Sequence, residues 1–355
     1  MTADGSPDGL DLTALTAYLK RESVALDGPL TARLISGGRS NLTYFVSDGS
    51  SRWVLRRPPL GDILKGAHDV AREHRVMAGL ASTAVPVPSM VTLCRDESVL
   101  GVQFYLMDEV AGQVLRTTDM VEPLSPQVRA ELGRSLVDTL ADLHDADFDA
   151  AGLGDLGRPD GYLQRQVDRW VRQYLVIKDR ELPHVDDVVD AMRASMPQSN
   201  TASVVHGDYR IDNVMVRADD PTRIAAVLDW EMATLGDPFA DLGMLLMFWD
   251  EVDRPFNPIT DGLTAFEGFP TRDQVIEHYI TRRGLQVDDL DWYVVFSQFK
   301  LAIILEQMYV RHRTGQTRGE GFQGIGEMVI ELLQNAREDI ERSPSLRVRR
   351  GSATP

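Results

Sequence analysis

The residue types best suited to chemistry in this sequence lie in its second half. The segment His206-Gly-Asp-Tyr-Arg-Ile-Asp-Asn213 places Asp208 and Asn213 five positions apart, on a loop between two short apolar stretches. A carboxylate in such a loop can orient an attacking hydroxyl and accept its proton, and a nearby amide oxygen can bind a phosphate-associated Mg²⁺. The alternative is an Asp that caps a turn, beside a His that is satisfied in the core.

A further acidic residue, Asp229, follows at the end of the apolar stretch 224–228, sixteen residues beyond Asn213. This position suits a second oxygen ligand for Mg²⁺, although an Asp at a strand end also commonly accepts backbone N–H bonds. Because Asp208, Asn213 and Asp229 occur in this order at workable separations, the pattern favours metal and phosphate chemistry over coincidence.

The pattern of strands and helices around these residues predicts an α+β fold of two lobes. A chain of 355 residues is long for one core. Residues 10–110 predict three strands, one helix and two strands, and residues 111–342 are mostly helical apart from the short β stretch that carries the motifs. Residues 1–9 and 343–355 lack periodicity and are predicted to be disordered. The predicted strands are 30–37, 42–47, 52–57, 90–95, 99–107, 203–205, 214–217 and 224–228, and the predicted helices are 68–81, 127–144, 161–178, 186–196, 273–283, 289–312 and 325–342.

Composition and charge restrict the class of partner. The net charge of −17 disfavours nucleic acid. Residues 1–110 carry −2 and the remainder −15, which fits either a lobe that attracts cationic substrates or an acidic surface that aids solubility. A single cysteine, Cys94, forms no internal disulfide and fits a cytoplasmic protein. No signal peptide or membrane span is predicted.

Three motifs of the second lobe together resemble the aminoglycoside-phosphotransferase-like, or choline-kinase-like, superfamily. They are His206-Gly-Asp…Asn213, Leu228-Asp-Trp-Glu231 and Gly236-Asp-Pro-Phe-Ala-Asp-Leu-Gly243, and the resemblance covers roughly residues 30–315. It implies a bilobal protein-kinase-like fold, with a small antiparallel-sheet N-lobe, a larger helical C-lobe, and ATP or GTP with Mg²⁺ as cofactors.

The resemblance also implies roles for individual residues. Asp208 is expected to be the catalytic base, and Asn213 and Asp229 the metal ligands. Asp237 and Asp241 match a segment that is structural in this family, and His206 is expected to support the loop. Gly236-Asp-Pro-Phe also reads independently as a turn followed by a helix start, because Pro238 suits a first helical turn.

Nucleotide-binding residues are expected in the first lobe. A Gly-Gly loop between the first two strands suits phosphate oxygens, although such a loop is usually a hairpin turn. On the third strand, Arg56 stands where kinases usually have Lys, and Glu73 on the following helix is its expected partner or else part of a solvated helix face. Met107 is a base-pocket candidate or a core residue. The expected nucleotide contacts are Gly37, Gly38, Ser40, Asn41, Arg56, Glu73, Met107, Glu109 and Val110.

The substrate is predicted to be a small molecule with a hydroxyl group. Residues 54–59 and 298–313 resemble the branch related to the kinase-like domain that is fused to acyl-CoA dehydrogenases, which implies a hydroxyacyl or acyl-CoA acceptor. Lys300, Arg311 and Arg313 could bind its anionic group, or they could favour a helix C-terminus. The acidic second lobe instead suits an aminoglycoside or choline-like cation.

Two function classes remain open from the sequence. One is an active metabolite kinase, and the other is a nucleotide-binding pseudokinase, which Arg56 in place of Lys keeps possible. A protein kinase is disfavoured, because the loop reads His-Gly-Asp and Asp-Trp-Glu stands in place of Asp-Phe-Gly.

Overall fold

The structure is a computed structural model, and its described residues form ten strands and ten α-helices. The described residues are 7–36, 41–60, 69–199, 201–254, 257, 259–260, 262–287, 289–315 and 324–346. The strands are β1 (Thr31–Ser36), β2 (Leu42–Ser47), β3 (Arg52–Arg57), β4 (Met90–Cys94), β5 (Phe104–Asp108), β6 (Gln113–Val114), β7 (Ser203–Val205), β8 (Val214–Val216), β9 (Ile224–Val227) and β10 (Thr234–Gly236). The helices are α1 (Leu12–Arg21), α2 (Val70–Leu80), α3 (Thr118–Val121), α4 (Pro126–Asp145), α5 (Tyr162–Ile177), α6 (Val185–Ala194), α7 (Phe239–Met247), α8 (Arg272–Arg283), α9 (Leu290–Arg313) and α10 (Ile325–Arg342).

The α+β class and the kinase-like arrangement of the elements are confirmed. The first lobe has a five-stranded sheet in the order β1-β2-β3-β5-β4, and all of its pairs are antiparallel. The side chains of β3 alternate between the two faces of this sheet, because successive residues of a strand point to opposite faces. Trp53 and Leu55 are buried in the core cluster, so Arg56 lies on the other face.

Helix α1 is an element that the sequence analysis missed. Its N-cap is Asp11, whose side chain accepts hydrogen bonds from the N–H groups of Thr13 and Ala14. Leu15 and Leu19, four residues apart, are fully buried in the same core as the sheet. The N-cap and this spacing are visible in the sequence, and together they predict the helix.

The predicted disordered ends overlap the described residues at 7–9 and 343–346, and both of these segments have defined contacts. The hydroxyl of Tyr44 donates to the carbonyl of Asp8 over 2.6 Å. Leu346 is only 1% exposed. The described residues at both ends therefore include positions with defined contacts that the sequence did not predict.

The chain forms two compact units. The first comprises the described part of Met1–Gln113 with Ala146–Leu153 and Val214–Ala233, and the second comprises the remainder. The first unit therefore includes strands β8 and β9, which pair antiparallel. Asp229 follows β9 and belongs to this unit, whereas Asp208 and Asn213 belong to the second.

The second unit is built around α9, a helix of 24 residues that packs against α5, α6, α7 and α10. Its apolar residues run all round the helix, which is the pattern of a buried helix. Strand β7 pairs antiparallel with β10 in the same unit, with Val205 opposite Thr234 and Ser203 opposite Gly236. No described helix combines the length and the apolar character that crossing a bilayer requires.

Candidate active site

The loop that follows β7 is fixed through its backbone by a buried carboxylate on α7. Asp241 accepts hydrogen bonds from the N–H of His206 (2.6 Å, to Oδ2) and from the N–H of Gly207 (2.7 Å, to Oδ1). Gly207 has a φ of 85°, which a glycine adopts without strain. Burial opposes ionisation of Asp241, but its hydrogen bond from His144 and its other partners lower the pKa of the carboxyl below its usual value. The loop is therefore bound to a carboxylate that stays ionised.

This loop positions Asp208 with one carboxylate oxygen bonded and the other available. The amide Nδ2 of Asn213 donates to the carbonyl of Asp208 (2.8 Å) and to its Oδ2 (2.9 Å). Arg210 Nε lies 3.4 Å from the same Oδ2, and the Asp208 side chain is 28% exposed. Among the described residues, none donates to Oδ1 of Asp208 or to Oδ1 of Asn213. Both oxygens can therefore bind a further group.

Lys300 is a correction to the sequence analysis, which placed it in a substrate site. Its side chain is buried in α9, where Nζ donates to the carbonyl of Gly207 and lies 5.9 Å from the ring of Trp170. Burial lowers the pKa of Lys300 to about 8, although Asp208 and Asp241 act in the opposite direction. Lys300 thus supports the loop from the core side.

The other two residues of that predicted cluster lie elsewhere on α9. Arg311 and Arg313 follow Lys300 by eleven and thirteen positions, or more than about 15 Å along a helix. Arg311 is exposed, and Arg313 forms an ion pair with Asp179. The structure does not bring these three basic residues together.

The predicted supporting residues hold the start of α7. Asp237 accepts hydrogen bonds from the N–H of Phe239 (2.9 Å) and from the hydroxyl of Tyr293 (2.8 Å). His144 bonds to Asp241 (3.2 Å) through Nε2 and to the hydroxyl of Tyr279 (2.6 Å) through Nδ1. Each carboxylate is thus connected to the surrounding helices, and the structural roles expected for Asp237 and Asp241 stay predictions.

The first unit contains a separate cluster of charges centred on Arg56. Arg56 Nε lies 3.0 Å from Glu73 Oε2, and its NH2 donates to Asp229 Oδ1 over 2.7 Å. Glu73 is 1% exposed at its side chain, so the alternative of a solvated helix face is wrong. Arg56 therefore neutralises two carboxylates from different parts of the sequence.

Glu73 is further held by two neutral donors. Asn41 Nδ2 donates to its Oε1 (2.6 Å), and the hydroxyl of Tyr105 donates to its Oε2 (3.0 Å). Burial raises the pKa of the Glu73 carboxyl to about 7, while Arg56 opposes this rise. The sequence analysis missed Tyr105, yet the register of the sheet indicates it, because Tyr105 on β5 pairs directly with Arg56 on β3.

Asp229 has a backbone conformation that few residues adopt. Its φ is 65°, in the left-handed region where Asp is tolerated better than most residues. The next residue, Trp230, is fully buried and donates its indole N–H to the carbonyl of Val227 over 3.0 Å. This anchor fixes the turn, and the Asp229 side chain remains 32% exposed.

The structure describes only some of the remaining residues that were predicted to contact the nucleotide. Gly37, Gly38 and Ser40 lie outside the described residues. Met107 is buried in β5 on the same face as Tyr105. Glu109 forms an ion pair with Arg52, and Val110 is half-buried. None of these observations tests their contact with a nucleotide, which stays a prediction.

Comparison with known proteins identifies the family. A family model described as "Phosphotransferase enzyme family" matches residues 31–275. The chain belongs to this phosphotransferase family. It is also similar to acyl-CoA dehydrogenase family member 11 of Rattus norvegicus, with 35% identity over 321 residues, which is 87% of this chain and 41% of that protein. The chain thus spans less than half the length of this relative.

Solved structures agree with the phosphotransferase fold. A "putative aminoglycoside phosphotransferase" from Ralstonia eutropha JMP134 has 34% identity and a TM-score of 0.81, with 94% of this chain and 98% of that chain covered. A mutant of aminoglycoside phosphotransferase APH(4)-Ia, solved with AMP-PNP and hygromycin B, has 14% identity and a TM-score of 0.61, with 96% and 100% covered. The second likeness concerns the fold alone.

The phosphotransferase residues have oxygen donors of the kind that Mg²⁺ prefers. Asn213 Oδ1 and the exposed carboxylate of Asp229 are hard oxygen ligands, and Mg²⁺ usually takes only one or two ligands from the protein beside phosphates and water. Among the described residues, no group of three or more His, Cys, Asp or Glu side chains forms a metal site. Each of these two oxygens by itself is a donor of the kind that Mg²⁺ binds.

Proposed function

We propose that this protein is a kinase that transfers the γ-phosphoryl group of ATP, or of GTP, to a hydroxyl group of a small molecule. The observation that carries the proposal is the arrangement of hydrogen bonds around the Asp208 carboxylate. Asn213 fixes one of its carboxylate oxygens, the other oxygen has no donor among the described residues, and the loop is bound to Asp241. A base in phosphoryl transfer needs this combination of fixed orientation and one accessible oxygen.

In the proposed reaction, Asp208 orients the hydroxyl of the acceptor and takes its proton as the oxygen attacks phosphorus. The hydrogen bonds from Asn213 and Arg210 to Oδ2 keep the carboxylate from rotating. Asn213 and Asp229 are the proposed ligands of Mg²⁺, which would neutralise charge on the phosphate oxygens. Positioning of the hydroxyl and stabilisation of charge account for most of the rate in this class of reaction.

The first unit is proposed to bind the nucleotide. Arg56, held by Glu73, would pair with the phosphates in the position where kinases usually have Lys. Gly37, Gly38, Ser40 and Asn41 are proposed to cover the phosphates. Met107, Glu109 and Val110 are proposed to line the adenine site. AMP-PNP in the APH(4)-Ia complex supports ATP as the nucleotide.

The proposed acceptor is a hydroxyacyl or acyl-CoA-type metabolite. The similarity to acyl-CoA dehydrogenase family member 11 supports this class. A cationic acceptor of the aminoglycoside or choline type is the second candidate, which the net charge of −15 on residues 111–355 favours. The third candidate is a pseudokinase, because Arg56 replaces the usual Lys.

A panel of acceptors tests the proposal. ADP formation is measured with Mg-ATP and simple alcohols, choline, aminoglycosides and hydroxyacyl-CoAs. We expect turnover with at least one acceptor and its loss in Asp208→Ala, with nucleotide binding retained. Nucleotide binding without turnover on any acceptor would instead support the pseudokinase.

A further inference from the structure

One carboxylate oxygen of Asp229 is bonded to a cation that belongs to the chain itself. Arg56 NH2 donates to Asp229 Oδ1 over 2.7 Å, and no other described residue donates a hydrogen bond to this carboxylate. The 3₁₀ turn Trp230–Met232 that follows Asp229 takes no capping bond from its side chain. The carboxylate is therefore held by Arg56 and not by its own turn.

The two ion pairs of Arg56 differ in their access to ligands. Its Nε lies 3.0 Å from Glu73 Oε2, and Glu73 is 1% exposed and also accepts from Asn41 (2.6 Å) and Tyr105 (3.0 Å). The Asp229 side chain is 32% exposed and has Arg56 as its donor. The pair with Asp229 is therefore the one that an arriving ligand can reach and exchange.

The backbone around Asp229 is anchored within the first unit. One hydrogen bond closes the turn, from the indole N–H of the buried Trp230 to the carbonyl of Val227 over 3.0 Å. A second anchor holds the residues that follow, because Arg72 of α2 donates to the carbonyl of Ala233 through Nε (3.2 Å) and NH2 (2.8 Å). Asp229 therefore keeps its place, and a change of partner at its carboxylate must come from the cation beside it.

Arg56 and a divalent cation compete for this carboxylate. Asp229 Oδ1 already accepts from Arg56. A cation on Oδ2 would lie no more than about 7 Å from Arg56 NH2, because Mg²⁺ binds oxygen at about 2.1 Å, and two positive charges at that distance repel each other. A metal ion that arrives alone must therefore either break the ion pair or bind against the charge of Arg56.

Nucleotide phosphates would remove this competition. Their oxygens bind Arg bidentately and also bind Mg²⁺, which usually takes one or two carboxylates of the protein together with substrate phosphates. A phosphate that pairs with Arg56 takes the place of Asp229 as its partner and leaves both oxygens of Asp229 for the metal. Because linkage is reciprocal, the metal then strengthens the binding of the nucleotide by the same factor.

We propose that Arg56 makes the binding of a divalent cation at Asp229 conditional on a nucleotide phosphate. The ion pair opposes the binding of the metal alone, and its exchange for a phosphate couples the metal to the nucleotide. This inference rests on the proposed function, which assigns Mg²⁺ to Asp229 and phosphates to Arg56, and it gives Arg56 a second role beside phosphate binding.

Binding of Mn²⁺ tests this role without any turnover. Free Mn²⁺ is measured by EPR with the whole protein, without nucleotide, at about 0.15 M salt, which screens the acidic surface. Arg56→Met should bind Mn²⁺ at least about tenfold more tightly than the wild type, because a competing charge-assisted hydrogen bond is removed. The factor by which Mn²⁺ strengthens the binding of AMP-PNP should fall in this variant by at least about tenfold. A general loss of structure would instead weaken the binding of both ligands.

Three further variants control the measurement. Arg52→Met, on the same strand but 61% exposed and paired with Glu109, should bind Mn²⁺ like the wild type. Asp229→Asn added to Arg56→Met should remove the gain, because the carboxylate that binds the metal is lost. Glu73→Gln added to Arg56→Met removes the buried charge that Arg56 had balanced, which keeps the variant folded, and this protein should still bind Mn²⁺ more tightly than the wild type.

The inference is overturned if Arg56→Met and the wild type bind Mn²⁺ alike, or if the gain survives in the variant that also carries Asp229→Asn. Neither result depends on turnover. Absence of turnover on every acceptor would contradict the proposed function and leave the Mn²⁺ result standing by itself.

Discussion

The catalytic loop of the second unit and the Arg56 cluster of the first unit are held by different kinds of bond. The loop is held through its main chain: Asp241 accepts from two backbone N–H groups, and Lys300 donates to a backbone carbonyl. The Arg56 cluster is held between side chains, by ion pairs to Glu73 and Asp229. A loop fixed through its backbone keeps its shape when ligands come and go. A side-chain cluster can exchange partners, which suits the proposed binding of phosphates and Mg²⁺.

Replacement of Asp241 should give the largest loss of stability. Asp241→Ala leaves the buried N–H groups of His206 and Gly207 without an acceptor, so the free energy of unfolding should fall by roughly 3–5 kcal/mol. Urea unfolding measures this loss. Asp187→Ala, at a carboxylate that is 54% exposed, is the control and should change stability by less than about 1 kcal/mol. Equal effects of the two substitutions would contradict the importance of the backbone bonds.

Removal of Arg56 should have a smaller effect that depends on pH. Arg56→Met leaves Glu73 without its cation, at a cost of roughly 1–3 kcal/mol at neutral pH. The folded-state pKa of Glu73 already lies above its ordinary value of 4.5 and should rise further, so the folded state binds the extra proton. The free energy of unfolding of the variant should therefore fall as pH rises from 4.5 through the folded-state pKa of Glu73.

Urea unfolding of Arg56→Met at acidic and mildly basic pH tests whether the stability of the variant falls as pH rises. Arg52→Met, on the same strand but 61% exposed, is the matched control. If Arg56→Met were as stable as the wild type above pH 8, the ion pair would not hold the cluster.

The protonation of Lys300 provides a further test of how the catalytic loop is held. Its folded-state pKa is lowered from 10.5 to about 8, so the unfolded state binds more protons between these values. The free energy of unfolding of the wild type should therefore rise with pH relative to Lys300→Met, by at most about 1.4 kcal/mol per pH unit. Denaturation across this pH window measures the difference, and a difference that stays constant with pH would contradict a buried, charged Lys300.

Arg56→Lys should have the smallest effect on stability. A Lys keeps the charge but lacks the planar group with which Arg56 reaches Glu73 and Asp229 together. We expect a change in stability of less than about 1 kcal/mol and turnover within about tenfold of the wild type. Steady-state kinetics measure the turnover, and urea unfolding measures the stability. A loss of stability as large as that of Arg56→Met would show that the guanidinium geometry itself is required.

The sequence predicted those parts of the fold that local patterns encode. The order of strands and helices in the first lobe follows from alternation and turn residues, and the structure confirms it except for α1. The loop residues Asp208 and Asn213 were recognised from their spacing, and the structure places them in direct contact.

The parts that the sequence did not predict depend on contacts between distant residues. Arg56 and Asp229 are 173 positions apart, and no local pattern indicates that they form an ion pair. Lys300 has the residue type of a surface cation and lies near other basic residues in sequence, so its burial became apparent only from the packing of α9. Its partner is a backbone carbonyl, which no sequence motif marks.

The most direct test of the central claim is detection of the phosphorylated product. Wild type and Asp208→Asn are incubated with Mg-ATP and an accepted alcohol, and ³¹P NMR follows the phosphate monoester. We predict that Asp208→Asn binds ATP like the wild type but forms the monoester at least about 100-fold more slowly, because the base is lost. Formation of the monoester at the wild-type rate by Asp208→Asn would contradict the account.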